Sequence, residues 1–153
     1  MDISKFRHTD QIQVRNYEID WQGIVHNGNY LLYFEIARVN YFKEIGSNID
    51  ERSISSSVRI VLVHNEIDYF NSATFNDQLK IYTRVSSIKN SSFVCEAVMF
   101  NANTNILIAK NLATLVWTHP TTKKSVPVPN EFRRLVDKYE GGNAAILWPK
   151  IEV

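Results

Sequence analysis

Apolar and polar side chains alternate along much of the chain after residue 58, which indicates β-strands. The clearest case is LKIYTRVSSI, residues 79–88, where every second residue from Leu79 to Val85 belongs to one face and the polar or aromatic residues between them to the other. Short polar turns separate such stretches and predict consecutive hairpins. The pattern predicts five strands, over residues 11–19, 59–70, 79–88, 93–100 and 106–118.

Residues 30–45, YLLYFEIARVNYFKEI, have a different pattern and predict a helix of good helix formers that ends before Gly46. Its polar residues do not gather on one face, which is typical of a buried helix around which other elements must wrap. A second, short helix is predicted over residues 131–138, capped by Asn130, and residues 141–153 show no clear pattern. The predicted fold class is therefore α+β: an antiparallel sheet of about five strands wrapped around one long helix.

The composition narrows the class of protein. A chain of 153 residues with 44% hydrophobic and 22% charged residues fits one domain, predicted over residues 1–153 with its core at about 10–140. The net charge of +1 offers no basic field for a nucleic acid. The one cysteine, Cys95, excludes an intramolecular disulfide and a cysteine-based zinc site and fits a reducing compartment. Without an apolar leader or an apolar run of about 18 residues, we expect a cytoplasmic protein with no membrane partner.

The densest cluster of unusual residues lies just before the long helix, in YEIDWQGIVHNGNY, residues 17–30. Asp20 can attack a carbonyl carbon or deprotonate a water, and the free N–H groups of a helix N-terminus can hold the developing oxyanion. The alternative is purely structural: Asp20 or Asn29 caps a turn, and His26 is a surface side chain. The spacing alone leaves both interpretations open.

The sequence offers weaker evidence for a chemical role of the other candidate residues. His64, Glu66 and Asp68 share one face of a predicted strand, a spacing that fits a metal but also an ordinary solvated face. Cys95 is expected to be a buried structural thiol. The serines of residues 53–57 lack the G-x-S-x-G elbow of a serine hydrolase, and no glycine loop of the phosphate-binding type is present in the sequence. We therefore predict no metal site.

The run YEIDWQGIVHNGNYLLYFEIAR resembles the signature of the 4-hydroxybenzoyl-CoA thioesterase family of hotdog-fold proteins, which includes acyl-CoA thioesterases of the YbgC type. The matching positions are Tyr17, Asp20, Gly23, Ile24, Val25, His26, Asn27, Tyr30, Glu35 and Arg38. Weaker similarity extends over residues 68–69, 77–79, 89–93 and 113–117, so that the resemblance covers about 12–132. The match departs from the family at Asn27, where YbgC-type members carry His, at Ala73, which replaces a Pro, and at the bulky Trp21.

The resemblance implies a hotdog fold in which two chains pair their sheets, with the active sites at the interface and dimers often forming tetramers. It places the catalytic carboxylate at Asp20 and the amide that polarises the thioester carbonyl at Asn27. Further substrate contacts are implied at Gly23, Val25, His26 and Tyr30 around the motif and at Lys89 and Ser91 for the phosphates of coenzyme A.

The function predicted on this basis is hydrolysis of an acyl-CoA thioester to a free acid and coenzyme A, with no cofactor beyond the coenzyme A of the substrate. The expected partner in solution is a second copy of the chain, as a homodimer or homotetramer. Three alternatives stay open: an acyl-carrier-protein thioesterase, a non-catalytic acyl-CoA binding module, and a hotdog dehydratase, whose histidine base has no candidate in this sequence.

Overall fold

The computed structural model describes residues 2–47 and 59–151. The main elements, in chain order, are β1 His8–Gln13, α1 Asn27–Glu44, β2 Arg59–Tyr69, β3 Gln78–Ile88, β4 Ser92–Asn101, β5 Leu107–Thr118, α2 Asn130–Glu140 and β6 Ala145–Ile146. Single 3-10 turns lie at Ile3–Lys5 and Asn16–Glu18. The predicted fold class is confirmed: one long helix lies against an antiparallel sheet.

The strand order is β1-β3-β4-β5-β2, with the two-residue β6 added parallel to the end of β3. The predicted hairpins between β3 and β4 and between β4 and β5 are confirmed. The hairpin predicted between β2 and β3 is wrong, because β2 pairs with β5 at one edge of the sheet. The connection between them instead runs past the start of α1, where the Val25 N–H donates to Ala73 O at 2.9 Å and the Val14 N–H to Asp77 O at 2.9 Å.

Helix α1 begins at Asn27, three residues before the predicted start. His26 caps it with a side chain, a role in which Ser, Thr, Asp or Asn is usual. One face packs on the sheet, and its buried residues are Tyr30, Tyr33, Phe34, Ala37, Arg38, Tyr41 and Phe42. The helix is not buried all round, since Leu32 and Ile36 are 54% and 42% exposed.

Three other boundaries differ from the sequence expectation. The strand predicted over 11–19 ends at Gln13, because a 3-10 turn follows in which Glu18 accepts the Arg15 N–H at 2.7 Å. Helix α2 begins at Asn130, so the capping position falls on Pro129 rather than on Asn130. In the tail, the two residues of β6 bond to the end of β3. The first two differences arise from side-chain and backbone hydrogen bonds between residues a few positions apart. The periodicity of apolar residues, at 2 for a strand or 3.6 for a helix, does not reveal such bonds.

Arg133 of α2 is the largest of the fully buried side chains, with 1% of its surface exposed. Its guanidinium donates to the carbonyl oxygens of Val128, Lys89, Asn90 and Leu147, so one side chain joins α2 to the β3–β4 turn and to the tail. Burial lowers the pKa of this guanidinium. An arginine remains charged even so, and four carbonyl dipoles replace the water that it has lost.

Candidate active site

The segment from Glu18 to His26 forms a loop closed by backbone hydrogen bonds. The His26 N–H donates to Glu18 O at 3.0 Å, and the Asp20 N–H donates to Ile24 O at 2.8 Å. At its tip, the Gly23 N–H donates to Asp20 O at 3.1 Å, with Gly23 at φ +81°. This left-handed conformation favours glycine and explains the residue at that position. The loop therefore holds Asp20 in a fixed backbone setting.

The Asp20 carboxylate has two different oxygens. Oδ1 accepts the Gln22 N–H at 2.8 Å and so caps the turn. Within residues 2–47 and 59–151, no donor is bonded to Oδ2. The structural interpretation of Asp20 as a turn cap and its interpretation as a reactive carboxylate are therefore compatible, because each uses a different oxygen.

The first turn of α1 leaves one backbone donor unused. The His26 N–H goes to Glu18, the Gly28 N–H to His26 Nδ1 at 3.1 Å, and the Asn29 N–H to His26 O at 2.9 Å. No acceptor among the described residues takes the Asn27 N–H. Together with the positive end of the helix dipole, this amide can bind a negatively charged oxygen. Asn29 caps no turn; its side-chain amide donates to Glu18 O at 2.9 Å.

The segment that follows β2 closes the other side of the helix start. The Tyr69 hydroxyl donates to Asn27 O at 3.0 Å, and the Tyr30 hydroxyl accepts the Ala73 N–H at 2.9 Å. The rings of Tyr30 and Tyr69 meet edge to face, with centroids 5.5 Å apart. Ala73 stands where the resembling family has proline, which has no N–H to donate. The contact between Ala73 and Tyr30 is thus a consequence of that departure.

These two segments enclose a cavity of about 570 Å³, within the size range of small-molecule sites. Its lining residues are Asp20, Trp21, Gln22, Ile24, Val25, His26, Asn27, Tyr30, Tyr69, Phe70, Asn71 and Ser72. Among the lining residues that the structure describes, Asp20 is the only carboxylate, and none is a lysine or arginine. A carboxylate and an unused helix amide therefore share one aromatic cavity.

Burial is the main cause that raises the pKa of Tyr30 above its usual value, and the neighbouring Tyr69 and Asp20 add to it. The Tyr30 hydroxyl therefore keeps its proton at neutral pH. Its oxygen accepts the Ala73 N–H, and its proton is left to donate.

Most of the residues predicted from the motif are brought together here. Those that line the cavity are Asp20, Val25, His26, Asn27 and Tyr30. Gly23 is not in the lining, but its turn holds Asp20. The residues that sequence reasoning missed are Tyr69, Phe70, Asn71 and Ser72. The signal for them was present in the segment around Asp68 and Ala73, which resembles the family, but its contact with α1 is not visible in a linear pattern.

Lys89 and Ser91 are not brought to this cavity. They lie in the turn that follows the end of β3. The loop that carries Asp20 lies near the opposite end of β3, where Ala73 and Asp77 accept backbone hydrogen bonds from Val25 and Val14. Eleven residues of strand span roughly 33–36 Å. Arg133 bonds to Lys89 O, and the Trp117 N–H bonds to Ser91 O. Their predicted contact with coenzyme A stays a prediction and cannot be made beside Asp20 of the same chain.

The weaker candidates have simple settings. His64 Nε2 and Glu66 Oε1 are 2.8 Å apart on exposed side chains. In the part of the chain that the structure describes, no three His, Cys, Asp or Glu side chains group as metal ligands do. Cys95 is buried, and burial raises the pKa of its thiol to about 12. The serines of residues 53–57 lie outside the described residues.

One long helix packed against an antiparallel sheet of this order defines the hotdog fold. The model of the thioesterase-like superfamily matches residues 14–136 of this chain. The chain belongs to this superfamily, and its enzyme class is that of a thioester hydrolase.

Known proteins agree with this assignment. The chain is 25% identical over 128 residues to the long-chain acyl-CoA thioesterase FadM of Escherichia coli, a match that covers 84% of this chain and 96% of FadM. It is similar to the crystal structure of a 1,4-dihydroxy-2-naphthoyl-CoA thioesterase from Synechocystis, with a TM-score of 0.79, 22% identity and coverage of 84% and 94%. It also matches a thioesterase from Thermus thermophilus complexed with coenzyme A and Zn, with a TM-score of 0.78, 26% identity and coverage of 90% and 97%.

Neither α1 nor α2 has the length and apolar character of a membrane-crossing helix, and no other helix in residues 2–47 and 59–151 has them.

Proposed function

We propose that this protein hydrolyses acyl-CoA thioesters, with Asp20 as the reactive carboxylate and the Asn27 N–H as the oxyanion donor. The observation that carries the proposal is the free Oδ2 of Asp20 in the same cavity as the unused amide of Asn27. The relatives named above act on or bind coenzyme A derivatives, which supports coenzyme A as the carrier.

The chemistry needs few groups. Asp20 either attacks the thioester carbon or takes a proton from a water that attacks it. In both routes the carbonyl oxygen becomes negative and is bound by the Asn27 N–H and the positive end of α1. The carbon–sulfur bond then breaks, and coenzyme A leaves as a thiolate that needs no strong general acid. When Asp20 is the nucleophile, water hydrolyses the resulting anhydride and releases the free acid.

Thiol release from acyl-CoAs tests the activity directly. We expect the purified protein to release coenzyme A, followed with a thiol-reactive dye, from at least one member of a panel of short, medium, long and aromatic acyl-CoAs. Failure of folded protein on the whole panel would contradict the acyl-CoA proposal. Acyl carrier proteins would then be tested as substrates, and ligand binding without thiol release would instead indicate a binding module.

We also propose that the protein forms a homodimer along β2. This strand is at the edge of the sheet, so one row of its backbone N–H and C=O groups has no neighbouring strand among the described residues. Leu62 and Val63 on the strand are exposed. An exposed apolar edge strand is a template for pairing with another chain. Because β2 ends at Tyr69 in the cavity wall, a chain paired along β2 would lie beside the active site.

A charge on this edge is expected to separate the subunits. Val63 is 57% exposed at a bulge in β2, and Val63→Lys would place like charges in the interface of a symmetric dimer. By size-exclusion chromatography with light scattering, we expect the wild type at the mass of two or four chains and the variant at the mass of one. Ile3→Lys, which changes an exposed apolar residue just before β1 at the opposite edge of the sheet, is the control. A monomeric wild type at all concentrations would contradict the dimer.

A further inference from the structure

Trp21 is the most exposed large hydrophobic side chain in the described part of the chain, at 91%. It occupies the turn from Asp20 to Gly23 and lines the cavity. A tryptophan in water forgoes the large favourable free energy that burial of its surface would provide. Because Trp21 lines the cavity, a bound ligand can supply that burial.

The position of Trp21 in the chain limits which part of a ligand it can reach. Asp20 must come within bonding distance of the thioester carbon or of the water beside it, and the Cα atom of Trp21 is about 3.8 Å from that of Asp20. The adenine of coenzyme A lies at the far end of the pantetheine arm. The indole therefore meets either the acyl group or the part of the arm next to sulfur. The arm carries amides that require hydrogen-bond partners, whereas an acyl group gains most from an apolar cover.

The charges of the cavity limit the acyl group in turn. Asp20 already contributes one carboxylate, and none of the lining residues in 2–47 and 59–151 is a lysine or arginine. Lys110 lies over the Phe70 ring, 5.4 Å from its centroid, and is not in the lining. A second carboxylate on the acyl group would thus be placed near Asp20 without a compensating cation among the described lining residues, which is unfavourable in a partly desolvated site. The remaining walls include the rings of Tyr30, Tyr69 and Phe70.

We infer that Trp21 determines substrate specificity by covering the acyl group, and that the site takes neutral, apolar acyl groups and rejects those with a terminal carboxylate. This inference rests on the proposed acyl-CoA hydrolysis and names the substrate class of that same site. It names Trp21 because this exposed residue already lines the cavity beside Asp20.

The kinetic test compares acetyl-, hexanoyl-, benzoyl- and glutaryl-CoA in the wild type and in Trp21→Ala. We expect kcat/KM of the variant to fall roughly 10-fold or more for hexanoyl- and benzoyl-CoA, and by less than about two-fold for acetyl-CoA. The wild type should prefer hexanoyl- to glutaryl-CoA by at least about 10-fold. Trp148→Ala, which removes another exposed tryptophan outside the cavity lining, should change none of these values.

Two kinetic results would overturn the inference. Equal losses for all four substrates, acetyl-CoA included, would show that Trp21 contacts the pantetheine arm. Turnover of glutaryl-CoA as fast as hexanoyl-CoA would show that the cavity does not select against charge. Because the Trp21 side chain is exposed, the urea midpoint of Trp21→Ala should match the wild type, and this match separates a specificity effect from unfolding.

A binding measurement tests the role of Trp21 without requiring hydrolysis of the ligand. In a Trp148→Phe protein, the remaining tryptophans are Trp21 and the buried Trp117. The non-hydrolysable hexanoyl-CoA thioether should shift the tryptophan emission to shorter wavelength, whereas coenzyme A alone should leave it unchanged. An equal response to both ligands, or to neither, would overturn the role of Trp21. If no acyl-CoA were hydrolysed, the proposed function would fail while this titration would still report on Trp21.

Discussion

Asp20→Asn is expected to reduce thiol release from acyl-CoA by about 10³-fold or more, since the loss of a nucleophile or base removes the reacting group itself. The asparagine amide is neither a nucleophile nor a base at neutral pH. Its side-chain oxygen can still accept the Gln22 N–H, which in the wild type bonds to Oδ1 at 2.8 Å, so the turn that holds the site is preserved. Initial rates at saturating substrate measure the effect.

The control for this variant is Asp137→Asn, which neutralises an exposed carboxylate on α2 outside the cavity. We expect it to keep wild-type activity. Both variants should unfold in urea within about 1 kcal/mol of the wild type, because neither loses a buried contact. Undiminished thiol release by Asp20→Asn would remove Asp20 from the mechanism and leave the fold assignment intact.

A single turnover in heavy-oxygen water separates the two roles of Asp20. When Asp20 is the nucleophile and water attacks its side-chain carbon in the anhydride, heavy oxygen enters the carboxylate and is found by mass spectrometry of the peptide. When Asp20 acts as the base, all of the label goes to the released acid. Label in the carboxylate therefore identifies the nucleophile.

Arg133→Met is expected to lower the free energy of unfolding by about 3–5 kcal/mol, because each acceptor that loses its partner costs about 1–3 kcal/mol. Methionine has a similar apolar stem but no donors. It would leave the carbonyl oxygens of Val128, Lys89, Asn90 and Leu147 without the guanidinium that now bonds to them. The Asn90 oxygen would still accept the Val128 N–H at 2.8 Å, so the desolvation penalty comes from the other three oxygens. Urea unfolding monitored by circular dichroism measures the loss.

The next residue supplies a matched control, because Arg134 on the same helix is exposed. Arg134→Met should change the free energy of unfolding by no more than about 0.5 kcal/mol. Should Arg133→Met fail to fold, Arg133→Lys, which keeps the charge but loses the fork of donors, should fold with an intermediate stability. Equal stabilities of the Arg133 and Arg134 variants would show that the buried hydrogen bonds contribute no net stability.

The local pattern of apolar and polar residues predicted most of the secondary structure. The alternation in residues 79–88 gave β3 nearly to the residue, because a strand with one buried face requires a period of two. Residues 30–45 gave α1, because its helix formers run unbroken to Gly46. The start of α1 at Asn27 was missed, because a histidine is not a usual cap and its bond to the Gly28 N–H depends on the ring orientation.

The residues of the candidate site likewise fall into two groups, those that a local motif identifies and those that only the fold brings to the cavity. Asp20, His26 and Asn27 lie within eight residues of one another, so a linear motif can identify them. Tyr69 and Phe70 come more than 40 residues later and reach the cavity only because β2 ends beside the start of α1. The buried state of Arg133 likewise depends on carbonyl groups from three separate segments.

The sequence by itself determined the α+β class, the approximate extent of strands β2 to β5 and the loop that carries Asp20. These depend on side-chain period and on contacts between near neighbours in the chain. Only the tertiary structure decided that β2 pairs with β5, that Tyr69 and Trp21 border one cavity, and that Lys89 lies far from Asp20. Such pairings are chosen by the packing of the whole sheet against α1, and many strand orders satisfy the same local pattern.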